Sequence, residues 1–131
     1  MTALEEARAF FAKDKYATET TGIVIDEVGE HYAKCSLKLD DRHKNAVGQV
    51  MGGVMYTLAD FVFAVATNFK QPVTVTVVSQ ISYLGMVKGD TLIAETRLLK
   101  DGKRSCFYEV DIQDNLGNPV AVVATNGAHV G

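Results

Sequence analysis

Leu4, Ala7, Phe10 and Phe11 recur at helical spacing, and Thr2 with Glu5 has the spacing of a capping box. Residues 2–13 therefore read as a short helix. The period then changes to that of a strand over 22–28 and 31–39. In the second of these, Ala33, Cys35, Leu37 and Leu39 take one face while Lys34, Ser36 and Lys38 take the other. Val28, Gly29 and Glu30 supply the turn between them. Residues 40–50 are polar and irregular, a loop. From Gly52 to about Asn68 apolar residues occupy nearly every side, which predicts a helix buried over most of its surface. Its valines are weak helix formers, so packing must hold it. Beyond Pro72 the pattern is β-branched, with strands expected over 73–85, 91–99, 103–113 and 119–129. Turn signals at Lys88-Gly89-Asp90, Asp101-Gly102-Lys103 and Asn115-Leu116-Gly117-Asn118 separate them, and their spacing implies antiparallel hairpins. One helix, two strands, a long helix and four strands predict an α+β fold. In it a single meandering sheet curls around the long helix, and a second copy would cover the edges that such a sheet leaves.

Size and charge narrow the class. A chain of 131 residues is expected to form one domain, 1–131, able to bury a core without staples. A net charge of -3, with Lys and Arg scattered along the chain, gives no basic stripe for nucleic acid. Residues 54–66, the longest apolar run, contain Asp60 and are too short to span a bilayer. The N-terminus lacks a basic segment followed by an apolar one, so the expected location is cytoplasmic. Cys35 and Cys106 have no CxxC or metal spacing and read as reduced thiols, with a disulfide left open. With no ligand set, no metal or cofactor is expected.

Asp60 is the residue out of place, a carboxylate among apolar neighbours, and such a group is costly to bury unpaired. It fits the N-cap of a helix starting at Phe61. A helix that starts at Gly53, however, meets no breaker and runs through Asp60, aligning Thr57, Asp60, Ala64 and Thr67 on one narrow polar line. There Asp60 suits a general base or a nucleophile. Gly52 and Gly53 at the loop-to-helix junction either allow a tight turn or present free N–H groups at the positive helix end to a carbonyl oxygen. Along one helix Gly52 and Asp60 lie roughly 12 Å apart. If both serve one carbonyl carbon, two chains must share the site, so a catalytic reading requires a dimer. Asn45 is either an Asx-turn residue or an amide that orients water or carbonyl. His43, set among Asp41, Arg42 and Lys44, reads as structural. His31 and His129 lack metal-spaced partners, and Asp40-Asp41 reads as a loop charge cluster. Lys103 and Arg104 read as a solvated hairpin end or as contacts for ligand phosphates.

Asn45-Ala46-Val47-Gly48-Gln49-Val50-Met51-Gly52-Gly53, followed by Leu58-Ala59-Asp60, resembles the motif of the hotdog-fold acyl-CoA thioesterases, most of all their phenylacetate-degradation (PaaI-like) branch. The resemblance implies a curved sheet around one central helix and hydrolysis of a small or aromatic acyl-CoA. It also implies a homodimer with shared sites, commonly paired into a tetramer, with the CoA thioester as substrate and no cofactor. It makes Asp60 the nucleophile or base, Gly52 the carbonyl-polarising N–H, and Asn45 the group that positions carbonyl or water. Thr76 falls where relatives carry a water-assisting hydroxyl. Gly85, Lys88, Arg104 and Ser105 fall where the substrate's CoA arm is held, and Gly53 joins them as a substrate-binding position. One position departs from the motif. The family histidine before the paired glycines is Met51, which is apolar and flexible enough to line an acyl pocket. That departure is what a non-catalytic hotdog protein, binding acyl-CoA or another small hydrophobic ligand, would also carry. A dehydratase reading lacks the histidine it needs near the long helix.

Overall fold

The computed structural model describes residues 1–131. Helix α1 (Ala3–Phe11) opens on the expected capping box, with the Thr2 hydroxyl accepting from the Glu5 N–H and the Glu5 carboxylate accepting from the Thr2 N–H. A π-type turn over Tyr16–Thr21, closed by Gly22 at φ 90°, leads into β1 (Val24–Gly29) and β2 (Tyr32–Lys38). The hairpin turns at Glu30 and His31, slightly later than the local pattern placed it, with His31 at φ 52°. A 3-10 turn over Asp41–His43 and an extended loop reach α2 (Gly52–Asn68). The strands β3 (Thr74–Tyr83), β4 (Thr91–Asp101), β5 (Ser105–Asp114) and β6 (Pro119–His129) follow.

All six strands form one antiparallel sheet in the order β1-β2-β4-β5-β6-β3. Of the last four strands, only β4, β5 and β6 form the expected meander. The turn at Lys88-Gly89-Asp90 does not close a β3–β4 hairpin; β3 pairs with β6 at the far edge, and the chain crosses the sheet end to reach β4 beside β2. Asp114 holds this crossing in place. It is fully buried and accepts from the N–H groups of Lys88, Gly89, Leu116 and Asn118 and from the Asn118 amide.

Helix α2 lies on the concave face. Leu58, Val62, Val65 and Ala66 are completely buried against Ala33, Cys35, Leu92, Val110, Ile112 and Val123 of the sheet. Burial of roughly 1.5–3 kcal/mol per large aliphatic side chain holds the valine-rich helix where propensity would not. Both cysteines are buried and free. No helix is long and apolar enough to cross a membrane.

Candidate active site

Helix α2 runs unbroken from Gly52 past Asp60, so Asp60 is mid-helix and not an N-cap. Its carboxylate is partly desolvated but not enclosed. Asp60 is exposed within the single chain, on a strip with Gly53 and Tyr56 that the sheet leaves uncovered. Thr67, expected on the same line, is instead buried, its hydroxyl donating to the Phe63 carbonyl at 2.8 Å. Asp60 borders a groove of about 280 Å³ between α2 and the segment after α1, lined by Asp14, Lys15, Tyr16, Ala17, Thr57, Phe61 and Ala64. The groove walls strip water from the carboxylate and the Asp14 charge repels it, so the Asp60 pKa is raised. Lys15 does not offset this, because its ammonium is directed at Glu19, 3.4 Å away. A carboxylate whose pKa is raised is better matched to accepting a proton near neutrality than an ordinary one.

At the other end of the strip, Met51 precedes the helix as its N-cap and offers no side-chain cap. The first turn closes with the Val54 N–H on the Met51 carbonyl, 3.0 Å, and the Gly52 and Gly53 N–H groups have no acceptor in the chain. They form the positive helix terminus, open to an anionic oxygen. Met51 is 57% exposed, with its Cε 3.8 Å from where a Gly53 Cβ would lie. Asn45 forms the Asx-type loop considered for it: its Oδ1 accepts from the N–H groups of Val47 and Gln49, both at 3.1 Å. Its carbonyl oxygen is therefore committed to the loop, which leaves the side-chain NH₂ as the end able to meet a ligand.

The helix start also carries a residue that sequence reasoning missed. Tyr83, at the end of β3, lays its ring over Gly52: a Cβ placed there would come within 2.6 Å of the Tyr83 hydroxyl oxygen and 2.9 Å of Cζ. Beside this contact lies an apolar groove of about 450 Å³ lined by Gln49, Val50, Gly52, Met55, Tyr83, Gly85, Met86 and Val87. Tyr83 sits on a different element from Gly52 and reaches it only through the course of β3 along the sheet edge. No local spacing points to that contact.

The remaining candidates split between the two ends of the sheet. Gly85 and Lys88 lie at the Gly52 end, where the Lys88 N–H donates to Asp114. Arg104 and Ser105 lie at the opposite end, where Ser105 pairs with Ala128 and Ala128 with Val75. From Val75 to Tyr83 the strand spans roughly 26 Å, so one chain does not bring these residues together. Thr76 is exposed on β3 and paired with Gly127. His43 is buried, not solvated as its neighbours implied. Its Nδ1 accepts from the Asp40 N–H at 3.0 Å, so its Nε2 carries the proton and donates to the Thr21 carbonyl at 2.8 Å. Both ring nitrogens are thus committed to holding the loop. His129 links the Thr74 hydroxyl and the Asp101 carboxylate, both at 2.8 Å, far from Asp60 in the fold.

The family model of the Thioesterase superfamily matches residues 47–121. A putative esterase of Archaeoglobus fulgidus is 25% identical over 91% of this chain and 78% of its own length. The acyl-coenzyme A thioesterase PaaI of Escherichia coli is 27% identical over 98% of this chain and 92% of its own. The solved structure of the E. coli PaaI protein, from the phenylacetic acid degradation operon, superposes with a TM-score of 0.89 at 23% identity, covering 98% of this chain and 94% of that one. The six-stranded sheet around a central helix is thus the hotdog fold.

Proposed function

We propose that this chain, which belongs to the thioesterase superfamily, hydrolyses acyl-CoA thioesters with small or aromatic acyl groups at sites shared between two copies. The observation that carries this reading is the exposed strip of α2. It joins an unpartnered carboxylate of raised pKa to free N–H groups about 12 Å away. Neither end alone can run the reaction. A second copy, antiparallel across a two-fold axis, sets Asp60 of each chain against Gly52 of the other.

The sheet edge supports that arrangement. Strand β3 is a ten-residue edge with Val75, Val77 and Val78 exposed at 46%, 61% and 54%. A long apolar edge of this kind is a template for strand pairing. Antiparallel pairing of two β3 edges puts the Val75 end of one chain beside the Tyr83 end of the other. Arg104 and Ser105 then approach Gly85 and Lys88 of the second copy, forming one cleft for the CoA arm. Pairing of such dimers into a tetramer would use the outer faces.

In this cleft the Gly52 N–H polarises the thioester carbonyl, with Gly53 shaping its approach, and Asn45 donates its NH₂ to carbonyl or water. Asp60 takes a proton from water as the water oxygen bonds to the carbonyl carbon. The tetrahedral oxyanion rests on the helix terminus. Its collapse breaks the C–S bond, and the proton passes from Asp60 to the departing thiolate. The same geometry also serves direct attack by Asp60, with an acyl-aspartyl anhydride then hydrolysed. Thr76 meets the water in either route, and Met51 contacts the acyl group.

Thiol release from an acyl-CoA panel tests the activity. Asp60→Asn should lower kcat by about 10²–10⁴-fold, the usual value of a general base. An equal background rate for both proteins on every substrate would refute it. Mixing Asp60→Asn with Gly52→Pro chains tests the sharing, since proline at the first helical position removes the N–H without breaking the helix. Each hybrid dimer regains one intact site of two, so a statistical mixture should recover about a quarter of wild-type activity. No recovery in confirmed hybrids would refute shared sites.

A further inference from the structure

We propose that the Tyr83 hydroxyl is a second hydrogen-bond donor to the thioester carbonyl, acting beside the Gly52 N–H; the inference rests on the acyl-CoA reading above. Tyr83 is 53% exposed, yet its ring is seated at a defined place, over the Cα of Gly52. The position a Gly52 Cβ would take is 2.6 Å from the hydroxyl oxygen. The hydroxyl is therefore no more than about 4 Å from the Gly52 Cα and about 5.6 Å from its nitrogen. A single oxygen accepting one N–H···O and one O–H···O bond of ordinary length spans that gap.

Three further observations agree. The Tyr83 hydroxyl has no hydrogen-bond partner in the chain, whereas Tyr56, the other tyrosine between α2 and β3, donates to the Ser79 carbonyl at 2.8 Å. The Gly52 and Gly53 N–H groups beside it are also unpaired. The residue that precedes them, Met51, has a thioether and no donor. Three free donors therefore converge at one helix terminus, at the rim of an apolar groove of about 450 Å³.

The same contact gives glycine at position 52 a second role. An alanine there retains the N–H, and its methyl group meets only the far end of a flexible side chain, so the fold tolerates it. The methyl group would nonetheless push the Tyr83 hydroxyl off its position. Gly52→Ala and Tyr83→Phe thus remove the same interaction by different means, and their effects should not add.

The test has two arms. With wild type and Asp60→Asn first compared for thiol release, Tyr83→Phe should lower kcat about tenfold, with KM within about twofold and an unchanged Tm. Gly52→Ala should lose a similar factor, and the double variant should lose no more than the larger single loss. Unchanged kcat in Tyr83→Phe, or losses that multiply, would overturn the proposal. The second arm needs no turnover. A CoA ketone analogue, with CH₂ in place of the thioester sulfur, keeps the carbonyl, and an S-alkyl-CoA thioether lacks it. Tyr83→Phe should weaken the ketone about fivefold and leave the thioether unchanged. Equal effects on both would overturn the role of Tyr83. If the wild type proves inactive, a Tyr83-dependent preference for the ketone still supports the donor while refuting hydrolysis.

Discussion

Gly127→Ala should destabilise the protein, against the usual direction for this substitution in a strand. Glycine in a strand interior is ordinarily worse than alanine by roughly 0.5–1 kcal/mol, so the exchange often stabilises. Gly127 is buried in β6, between Cys106 of β5 and Thr76 of β3, with α2 beneath it. A Cβ there would lie 2.8 Å from the Val75 carbonyl oxygen, 2.9 Å from Thr74 Cγ2 and 3.2 Å from Phe63 Cζ. Phe63 can shift slightly. The Val75 carbonyl is backbone and moves only if β3 moves relative to β6. Overpacking of this kind costs about 1–3 kcal/mol, which outweighs the entropic gain and leaves a net loss of about 1–2 kcal/mol. For a chain of this size that is a Tm drop of roughly 3–10 °C.

Gly29→Ala is the internal control. Its Cβ would meet nothing closer than Tyr32, at 3.8 Å, so the exchange should be neutral or stabilising by up to about 1 kcal/mol. Thermal and urea denaturation of both variants, at one fixed protomer concentration, makes the comparison. A Gly127→Ala protein as stable as the wild type would show that β3 yields freely and would refute the packing reasoning. Such a result would also weaken the case for Thr76, whose place on β3 is set by its pairing with Gly127.

Asp60→Asn should change stability by no more than about 0.5 kcal/mol even as it removes activity, because the carboxylate is exposed and has no attractive partner; a loss above about 1 kcal/mol would indicate a structural role. With the Asp60 pKa raised, the folded state binds more protons than the unfolded one between the two values, so Asp60 opposes folding as pH rises through that window. Its kcat/KM should fall on acidification along a limb displaced upward from that of an ordinary aspartate. Asp14→Asn should shift that limb to lower pH, and an unmoved limb would exclude Asp14 as a cause. Asp114 has the opposite sign: backbone and Asn118 N–H donors hold its pKa down, so it contributes stability above the ordinary carboxylate value that is lost as pH falls. Asp114→Asn should therefore flatten the acid limb of a stability–pH curve. Val77→Lys, on the open β3 edge, should yield monomers by light scattering and abolish thiol release; active monomers would refute shared sites.

The elements were legible because each rests on a local pattern. The capping box at Thr2 and Glu5, the alternation in β2 and the apolar run of α2 appear in the structure within a residue or two. What local pattern does not carry is which strands become neighbours. The turn residues at Lys88-Gly89-Asp90 announced a reversal, but Asp114, 25 residues from Gly89, converts it into a crossing. The partners of Tyr83 and Asp114 follow from that crossing, so neither signalled its role.

The exposure of Asp60 marks a limit of hydropathy itself. An apolar run around a carboxylate predicts burial, yet Gly53, Tyr56 and Asp60 are open on the single chain, as are Val75, Val77 and Val78 of β3. Hydropathy reports that a surface is to be covered, not whether its cover belongs to the same chain. Part of the misfit lies on one helix strip and one adjoining sheet edge, and a single cover would answer both. The proposed second copy, laid antiparallel across the strip, would bury the valines, close the β3 edge and supply Asp60 with the helix terminus that its own chain holds about 12 Å away. The residues that looked too apolar for their exposure and the residue that looked too polar for its neighbours are then two sides of one interface. On that reasoning dimer formation and catalysis should fail together when the edge is charged.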